Sequence, residues 1–575
     1  MKYMNRFAVL FPFAITVFGL PIVFSRNVFL GLTSIETDVL DLVSGVEAYS
    51  YGVQLENIAL SHPAFRSAGS AGADEAADWI VNQFQSFGLE VEKEEFQFTS
   101  WDLLGRPRLV IDDDGNLATI EDQSTIERFQ SAHYSLPGDM FADLVVLPLP
   151  AASSRDEIGA NPIDTTIWEG IDTTGKVLLI GREVRWDRGW EEAYTNKLTV
   201  QTPEAVIYTW WYDWMSFVPD FFSSAGGRPI SSFGCYYWDL GIPVGFVSYD
   251  DGLWIRGRES SLDVYAKVVI DSVVDVGPHY NVVGKLTGYG HPDRFVIVSG
   301  HYDSVMCAGF GDNGAGTSGV IELARVFTEA VSEGFYYPTF TTLFVAFASE
   351  EIGLVGAINY VMQHEAQMED IVAVINLDCI GSDNFQATKT NPTDGFDLDQ
   401  LVLEAASDLG IDAGLEEFGG DEGAFKDPVW SNEFYLRTWG LTAGIDDATP
   451  VESSTMLISS PTVYSDKWSV GMPGWIHTSY DNSTSTETLN WVEADDLEGH
   501  IKVAALTVMR VSPPVLVGDL NNDGIVDIFD VVTVSMAFGS TPLDSSWNIA
   551  ADLNNDDVVD IFDVVLLAQN FGKTV

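Results

Sequence analysis

The stretch RFVIVSGHYDS, residues 294–304, decides the fold. Its run Phe295–Ser299 reads as a buried strand, and it delivers His301 and Asp303 at the carboxyl end. A Gly-rich loop follows, then SGVIELARVFTEAVSE (318–333), in which Val320, Leu323, Phe327 and Ala330 recur at helical spacing. Next come the strand TTLFVAFA (341–348), a helix from about Gly353 to His364, and the strand IVAVINLD (371–378). Strands alternating with helices predict an α/β fold, a mostly parallel sheet covered by helices on both faces, with functional groups at the carboxyl ends of strands. His301, Glu350, Glu351 and Asp378 all fall at such ends.

Outward from this centre the texture changes twice. AFRSAGSAGADEAADWIVNQFQSFGLEVEKEEF (64–96) reads as a Gly/Ser turn, a helix with Ala76, Ile80, Phe84 and Phe87 on one face, and a strand. From about residue 140 to 270, short β-rich runs (KVLLIG, EAVIYTW, IPVGFVSY) are separated by Gly, Pro and Asp turns, as in an inserted β module. Its aromatic run YTWWYDWMSF (208–217) suits either the core or interface of that module or the lining of a substrate cleft. At the amino end, Lys2 and Arg6 precede an apolar stretch from Phe7 to Phe24, which matches a secretory signal; its length also reaches the lower limit for an uncleaved membrane anchor. The expected organisation is a leader (1–34), a first catalytic part (35–130), the β-rich insertion (131–275), a second catalytic part (276–512) and a repeat-bearing tail (513–575), with Pro513 and Pro514 marking a linker.

Composition excludes some partners. The chain of 575 residues carries 28 basic and 85 acidic side chains, a net charge of −57, which repels nucleic acid and anionic membrane surfaces. Cys235, Cys307 and Cys379 are too few and too scattered for a disulfide framework.

His301, Asp303, Asp312, Glu350, Glu351 and Asp378 would gather in a bowl at the strand ends, a dense set of hard oxygen ligands with one imidazole. Carboxylates buried together repel, and burying unpaired charge costs several kcal/mol, so with Lys and Arg scarce a metal is the expected neutraliser. Mixed His and carboxylate ligation suits zinc and, less selectively, cobalt or manganese. A second histidine, His477, stands in GWIHTSYDN (474–482).

His-x-Asp at 301–303, Asp-Asn at 312–313, Glu-Glu-x-Gly at 350–353, Asp378 after an apolar strand, and His-Thr at 477–478 occur in that order. In this pattern the chain resembles the di-zinc exopeptidase family of aminopeptidase Y, the bacterial leucyl aminopeptidases and glutamate carboxypeptidase, over roughly residues 50–510. The resemblance implies the phosphorylase/hydrolase-like α/β fold and two zinc ions: His301 and Asp378 complete one site, Glu351 and His477 the other, and Asp312 bridges them. Two such cations, about 3.5–4 Å apart, acidify a shared water, and Glu350 becomes the general base that moves its proton to the leaving amine. Asp303 is then expected to orient His301 by accepting its other N–H. The insertion, through GKVLLIGR and IPVGFVSYDDG, resembles a protease-associated (PA) domain.

In the tail, DLNNDGIVDIFDVV from Asp519 recurs as DLNNDDVVDIFDVV from Asp552, 33 residues later. Each is a calcium loop: Asp519, Asn521, Asp523, Asp527 and Asp530 with the Ile525 carbonyl, and Asp552, Asn554, Asp556, Asp560 and Asp563 with the Val558 carbonyl. Asp557 stands where the sharp turn prefers Gly. The duplicated half-EF-hand resembles a dockerin domain, whose partner class is the cohesin module; a calcium-stabilised stalk without a partner is the alternative.

The expected function is a secreted or cell-surface zinc aminopeptidase acting on peptides with a free N-terminus, because an acidic bowl attracts an ammonium group. A carboxypeptidase on the same scaffold is the first alternative, and it needs cations for the terminal carboxylate. From His301 onward to Val511 these are Arg325, Arg437, Arg510, Lys389, Lys426, Lys467 and Lys502 alone, with Arg182, Arg185, Arg188 and Arg228 in the insertion. A glutaminyl cyclase, which uses one metal, and a tail-dominated scaffold protein with a vestigial peptidase are the remaining alternatives.

Overall fold

The computed structural model describes residues 13–17, 20–24, 32–62, 65–113, 116–120, 129–131, 135–147, 165–182, 197–198, 200–210, 242–247, 249–259, 263–305, 307–381, 385–388, 397–416, 420–421, 423–426, 453–458, 481–483, 492–521, 524–554 and 556–573. Near the amino end, β1 (Phe13–Val17) and β2 (Leu20–Phe24) form an antiparallel pair. Among the described residues, no helix is long and apolar enough to cross a membrane.

The peptidase-like part is one eight-stranded sheet. Its order is β17 (Gly414–Glu416), β16 (Phe385–Thr388), β18 (Ser453–Ile458), β15 (Ile371–Leu377), β13 (His291–His301), β14 (Phe340–Phe347), β12 (Ser272–Leu286) and β3 (Glu90–Leu103). The centre is parallel, β13 lying between β14 and β15, whereas β12 and β3 join antiparallel at one edge, so the sheet is mixed. All eight residues of β14 are buried, as the β-branched and apolar run FTTLFVAF suits when both faces of a sheet are covered.

Helices pack on this sheet as their apolar stripes dictate. α1 (Ser34–Leu40) starts on a capping box made by Thr33 and Glu36. α2 (Gly45–Ser61) and α3 (Ala71–Phe87) follow; α3 is capped by Ser70, buries Ala76, Ile80 and Phe84, and ends on Gly88 in the left-handed region at φ 92°. Later in the chain, α5 (Gly316–Ser332), α6 (Val355–Gln363), α7 (Leu398–Asp408), α8 (Gly423–Lys426) and α9 (Ala494–Val511) complete the layers. Val320, Leu323, Phe327 and Ala330 of α5 are buried against the strands, as their spacing predicts.

The antiparallel ribbon of β3 and β12 pairs from Glu90 with Lys285 to Leu103 with Ser272 and leads into a second eight-stranded sheet. That sheet contains β4 (Arg108–Asp113), β5 (Asn116–Ile120), β6 (Phe129–Ser131), β7 (Gly138–Val146), β8 (Val177–Arg182), β9 (Ala205–Trp210), β10 (Val244–Val247) and β11 (Val264–Ile270), with α4 (Tyr249–Glu259) between the last two. The strands at 108–131 therefore hydrogen-bond with the insertion, and the sheet boundary falls near residue 104 rather than 130, because β3 leaves one sheet and β4 enters the other. The buried Trp101 donates its indole N–H to the Ser135 carbonyl at 3.0 Å, which fastens the ribbon to the second sheet.

The segment expected as a linker is tied down. Val515 N–H donates to the Tyr337 carbonyl at 2.7 Å, Phe340 N–H to Ser512 Oγ at 2.9 Å, and Pro514 bridges Pro338. Beyond it, α10 (Ile528–Ala537) and α11 (Ile561–Asn570) enclose a small core of Leu516, Val526, Val534, Ala537, Ala551, Val559 and Leu567.

Candidate metal centre

Three parallel strands set the site. β13 ends at His301, β14 ends three residues before Glu350, and β15 ends one residue before Asp378, so adjacent strands running the same way deliver the three side chains to one edge. The fourth group, Asp312, lies in the turn Phe310–Ala315 that leads from β13 into α5.

The geometry centres on the imidazole. His301 Nε2 stands 3.3 Å from Asp312 Oδ1, 3.6 Å from Asp378 Oδ1 and 3.9 Å from Glu350 Oε2. Ligand atoms of His301, Asp312 and Asp378 all lie within 4.8 Å of one another. Among the described residues, His301 Nε2 and Asp378 Oδ1 are buried without a hydrogen-bond partner, a costly state for polar atoms in a protein interior. Burial disfavours a charged His301, yet the carboxylates of Glu350, Asp303, Asp312 and Asp378 outweigh it and hold the pKa well above the ordinary value. Burial likewise pushes Glu350 well above the usual carboxylate range; His301 opposes this, and Glu351, Asp421 and Asp378 add to it. Carboxylates thus outnumber the imidazole in this cluster among the described residues. An imidazole nitrogen and converging carboxylate oxygens are the donor set of a zinc site, so these residues fit the metal.

Asp303 meets His301 through two oxygens and has further partners. The nearer acceptor for His301 Nδ1 is the carbonyl of Asp303 at 3.1 Å, whereas its carboxylate stands at 3.5 Å. That carboxylate also accepts the backbone N–H of Glu350 at 3.0 Å and of Glu351 at 3.3 Å. Asp303 thereby ties the two strand ends together. Glu351 is buried beside Glu350 but outside the triad around His301. His477 lies outside the described residues.

Three contributors escaped the sequence reading, and a fourth, Asn313, stood in its pattern without a role. Asn313 donates from Nδ2 to the Leu377 carbonyl, and its Oδ1 accepts from Gly316 and Cys379, which clamps the Asp312 turn to the end of β15. Asp481, four residues after His477, accepts the N–H of Gly311 at 2.5 Å and of Asp312 at 3.2 Å; the signal was there in GWIHTSYDN, but only the histidine was singled out. Asp421 is fully buried near Glu350, and a Cβ on its neighbour Gly420 would stand 2.7 Å from Asp378 Oδ2. Arg66, from the turn before α3, is fully buried and donates to the carbonyls of Leu55, Tyr302, Ala308 and Gly309, the last three in the loop between His301 and Asp312.

The cations bear on substrate choice. Arg325 is held by Glu322 and Glu329, Arg510 by Glu36 and Asp408, and Lys502 by Glu498. Arg66 is committed to carbonyls. Arg437, Lys389, Lys467, Arg185, Arg188 and Arg228 lie outside the described residues. Of the cysteines, Cys307 and Cys379 are free, and burial pushes both thiols far up, so they act as packing. Cys235 is outside the described residues.

The two calcium-loop candidates have matching backbones. Asp530 and Asp563, both buried, each accept three loop N–H groups: Leu520, Asn521 and Asp527 in the first, Leu553, Asn554 and Asp560 in the second. Gly524 and Asp557 occupy the same left-handed turn, at φ 85° and 63°, and their N–H groups donate to Asp519 and Asp552. Asn521, Ile525, Asp527, Asn554, Asp556, Val558 and Asp560 lie around these turns, and Asp523 is outside the described residues.

Comparison with known proteins agrees with this arrangement. Residues 281–427 match the model of peptidase family M28, and residues 517–572 that of the dockerin type I domain. An aminopeptidase of Pseudomonas aeruginosa is 28% identical over 342 residues, 58% of this chain and 57% of that protein. A glutamate carboxypeptidase 2 homolog of Caenorhabditis briggsae is 27% identical over 154 residues, 27% of this chain and 19% of that protein. The chain thus spans little more than half the length of the first of these relatives. The solved structure of BSAP, a zinc aminopeptidase from Bacillus subtilis, aligns with TM-score 0.55 and 20% identity over 82% of this chain and 95% of that one, a likeness of fold. Residues 281–427, which carry the His301 cluster, thus match peptidase family M28, and residues 517–572 match the dockerin type I domain.

Proposed function

We propose that the protein is an extracellular zinc-dependent aminopeptidase. The observation that carries this reading is the convergence of Asp312, Asp378 and Glu350 on the buried Nε2 of His301. His301, Asp312 and Asp378 would hold one zinc, and Asp312, Glu351 and His477 the second. Bound there, two zinc ions supply an acidified water and polarise the scissile carbonyl. Glu350, 17% exposed at the mouth of the cluster, takes the proton from the attacking water and returns it to the leaving amine. Asp303 fixes the glutamate pair through its two backbone N–H groups. Excess carboxylate charge favours the substrate's free ammonium. Among the described residues of the peptidase sheet and its helices, Arg325, Arg510 and Arg66 are committed to other partners and Arg294 lies near the start of β13, the end away from His301, which disfavours the carboxypeptidase alternative.

The insertion is read as a protease-associated module, and the tail as a calcium-loaded dockerin for a cohesin-type partner. The test is a panel of aminoacyl-chromogenic and N-blocked C-terminal substrates, with chelator, zinc re-addition and Glu350→Ala. Chelator-sensitive release from free amino termini, lost in Glu350→Ala while zinc content persists, supports the reading. Cleavage of blocked peptides alone moves the function to carboxypeptidase, and inactivity of zinc-loaded protein moves it to a scaffold.

A further inference from the structure

The glutamate pair follows a backbone turn that its own sequence does not favour. Ser349, between β14 and Glu350, has φ 62°, in the left-handed region where a residue with a Cβ is less stable by about 1–2 kcal/mol. Its Oγ stands 2.7 Å from Nδ1 of His279, on β12. The other ring nitrogen, Nε2, stands 2.9 Å from Ser100 Oγ, on β3. The ring is 2% exposed, stacked on Phe96 at 5.4 Å between centroids and met edge-on by Phe98 at 6.2 Å. Ser100 is itself confined: a Cβ on Gly69 would stand 2.5 Å from its Cβ, and one on Gly277 2.7 Å from its Oγ. Either tautomer of a neutral imidazole leaves one nitrogen donating and one accepting, and the two serine hydroxyls rotate to match.

We propose that His279 is a positioning residue for Glu350: through its hydrogen bond to Ser349 it holds the left-handed turn that aims the glutamate into the metal centre. The role of Glu350 rests on the function proposed above. A buried hydrogen bond contributes about 1 kcal/mol, comparable with the backbone cost, so this contact can decide which conformation the turn adopts. The remaining grips hold the backbone beyond the turn. Asp303 binds the N–H groups of Glu350 and Glu351, the Glu350 carbonyl accepts from Gly353 and Leu354, and the Ser349 carbonyl accepts from Val355. Loss of the His279 contact lets Ser349 relax to negative φ, which rotates the following peptide away from Asp303. Burial lowers the His279 pKa to about 4, so the ring stays neutral and the contact persists across the neutral range.

A histidine that merely fills space gives a different genetic pattern from one that holds a strained turn. Glycine adopts φ 62° without help, so it removes the need for the contact. The experiment compares zinc-loaded full-length protein with His279→Leu, Ser349→Ala, Ser349→Gly and the double variant His279→Leu/Ser349→Gly. Two readouts are kcat and KM on an aminoacyl-chromogenic substrate and amide hydrogen exchange of the segment 349–354. Ser349→Ala and His279→Leu are expected to lower kcat about tenfold with KM nearly constant and to speed exchange at Glu350 and Glu351. Ser349→Gly loses less than Ser349→Ala, and in the His279→Leu background it restores both kcat and exchange protection. Full kcat and protection in Ser349→Ala, or no rescue by glycine, overturns the proposal. If His279→Leu does not fold, the ordering of Ser349→Ala and Ser349→Gly decides alone. If zinc-loaded wild type cleaves nothing, the peptidase reading fails, and the exchange data still decide whether His279 holds the turn.

Discussion

Replacing Arg66 by methionine should destabilise the peptidase module by about 4 kcal/mol. The guanidinium is fully buried, with Nε 2.8 Å from the Tyr302 carbonyl, Nη1 3.2 Å from Leu55 and 2.5 Å from Ala308, and Nη2 2.9 Å from Gly309. Methionine removes this donor from all four, but Gly309 keeps the Gly314 N–H and Leu55 its helical donor within α2, which leaves Tyr302 and Ala308; an unsatisfied buried acceptor costs about 1–3 kcal/mol, so two at mid-range give roughly 4 kcal/mol. The charge matters as well, since Asp481, Asp303 and Glu56 oppose the effect of burial on the guanidinium and lose that attraction. Arg66→Lys keeps the charge but cannot fan donors over four carbonyls, so it should fall between the two. Several modules make a single melting curve ambiguous. Urea titration of the full chain in chelator, read by pulsed amide exchange on peptides from β13 and α5, isolates the module. A loss below about 1 kcal/mol for Arg66→Met would refute the reasoning, as would equality of Arg66→Lys with wild type.

Three further outcomes are expected. Asp481→Ala frees the N–H groups of Gly311 and Asp312, so zinc affinity, measured by competition with a chromophoric chelator, should fall about 10–100-fold with the fold intact. His279 and His500 are buried neutral, with pKa values lowered to about 4; unfolded, they protonate near 6.5, so their stabilisation is complete above that pH and is lost as pH falls toward 4. Each accounts for at most ~3 kcal/mol. His500 Nδ1 accepts the Gly381 N–H, and His500→Gln, which can still accept it, should shrink the drop in urea midpoint between pH 7 and 4.5. In the tail, Asp557→Gly relieves a residue at φ 63° and should stabilise the calcium-binding turn by about 1 kcal/mol, about fivefold in calcium affinity by calorimetry on the full chain.

The sequence by itself determined what depends on local order. Mostly apolar runs leading to His301, Glu350 and Asp378 announced buried parallel strands, because such runs suit a sheet covered on both faces, and functional groups in that architecture sit at strand carboxyl ends. The duplicated Asp-rich loops were legible because every ligand of a calcium loop comes from one short segment. Tertiary structure decided what depends on contacts between distant segments. Arg66 lies 236 residues or more from three of the carbonyls it binds, and Asp481 lies 169 from Asp312, so neither spacing carries a signal. His279 read as nothing in sequence, since its partners Ser100 and Ser349 come from β3 and from the turn after β14. The Asp303 carboxylate stands 3.5 Å from its sequence neighbour His301, and folding also brings the glutamate pair of the adjacent strand to it, which spacing could not show. That β4, β5 and β6 pair into the second sheet was likewise invisible, because a strand's composition records its burial and only pairing shows which sheet it joins.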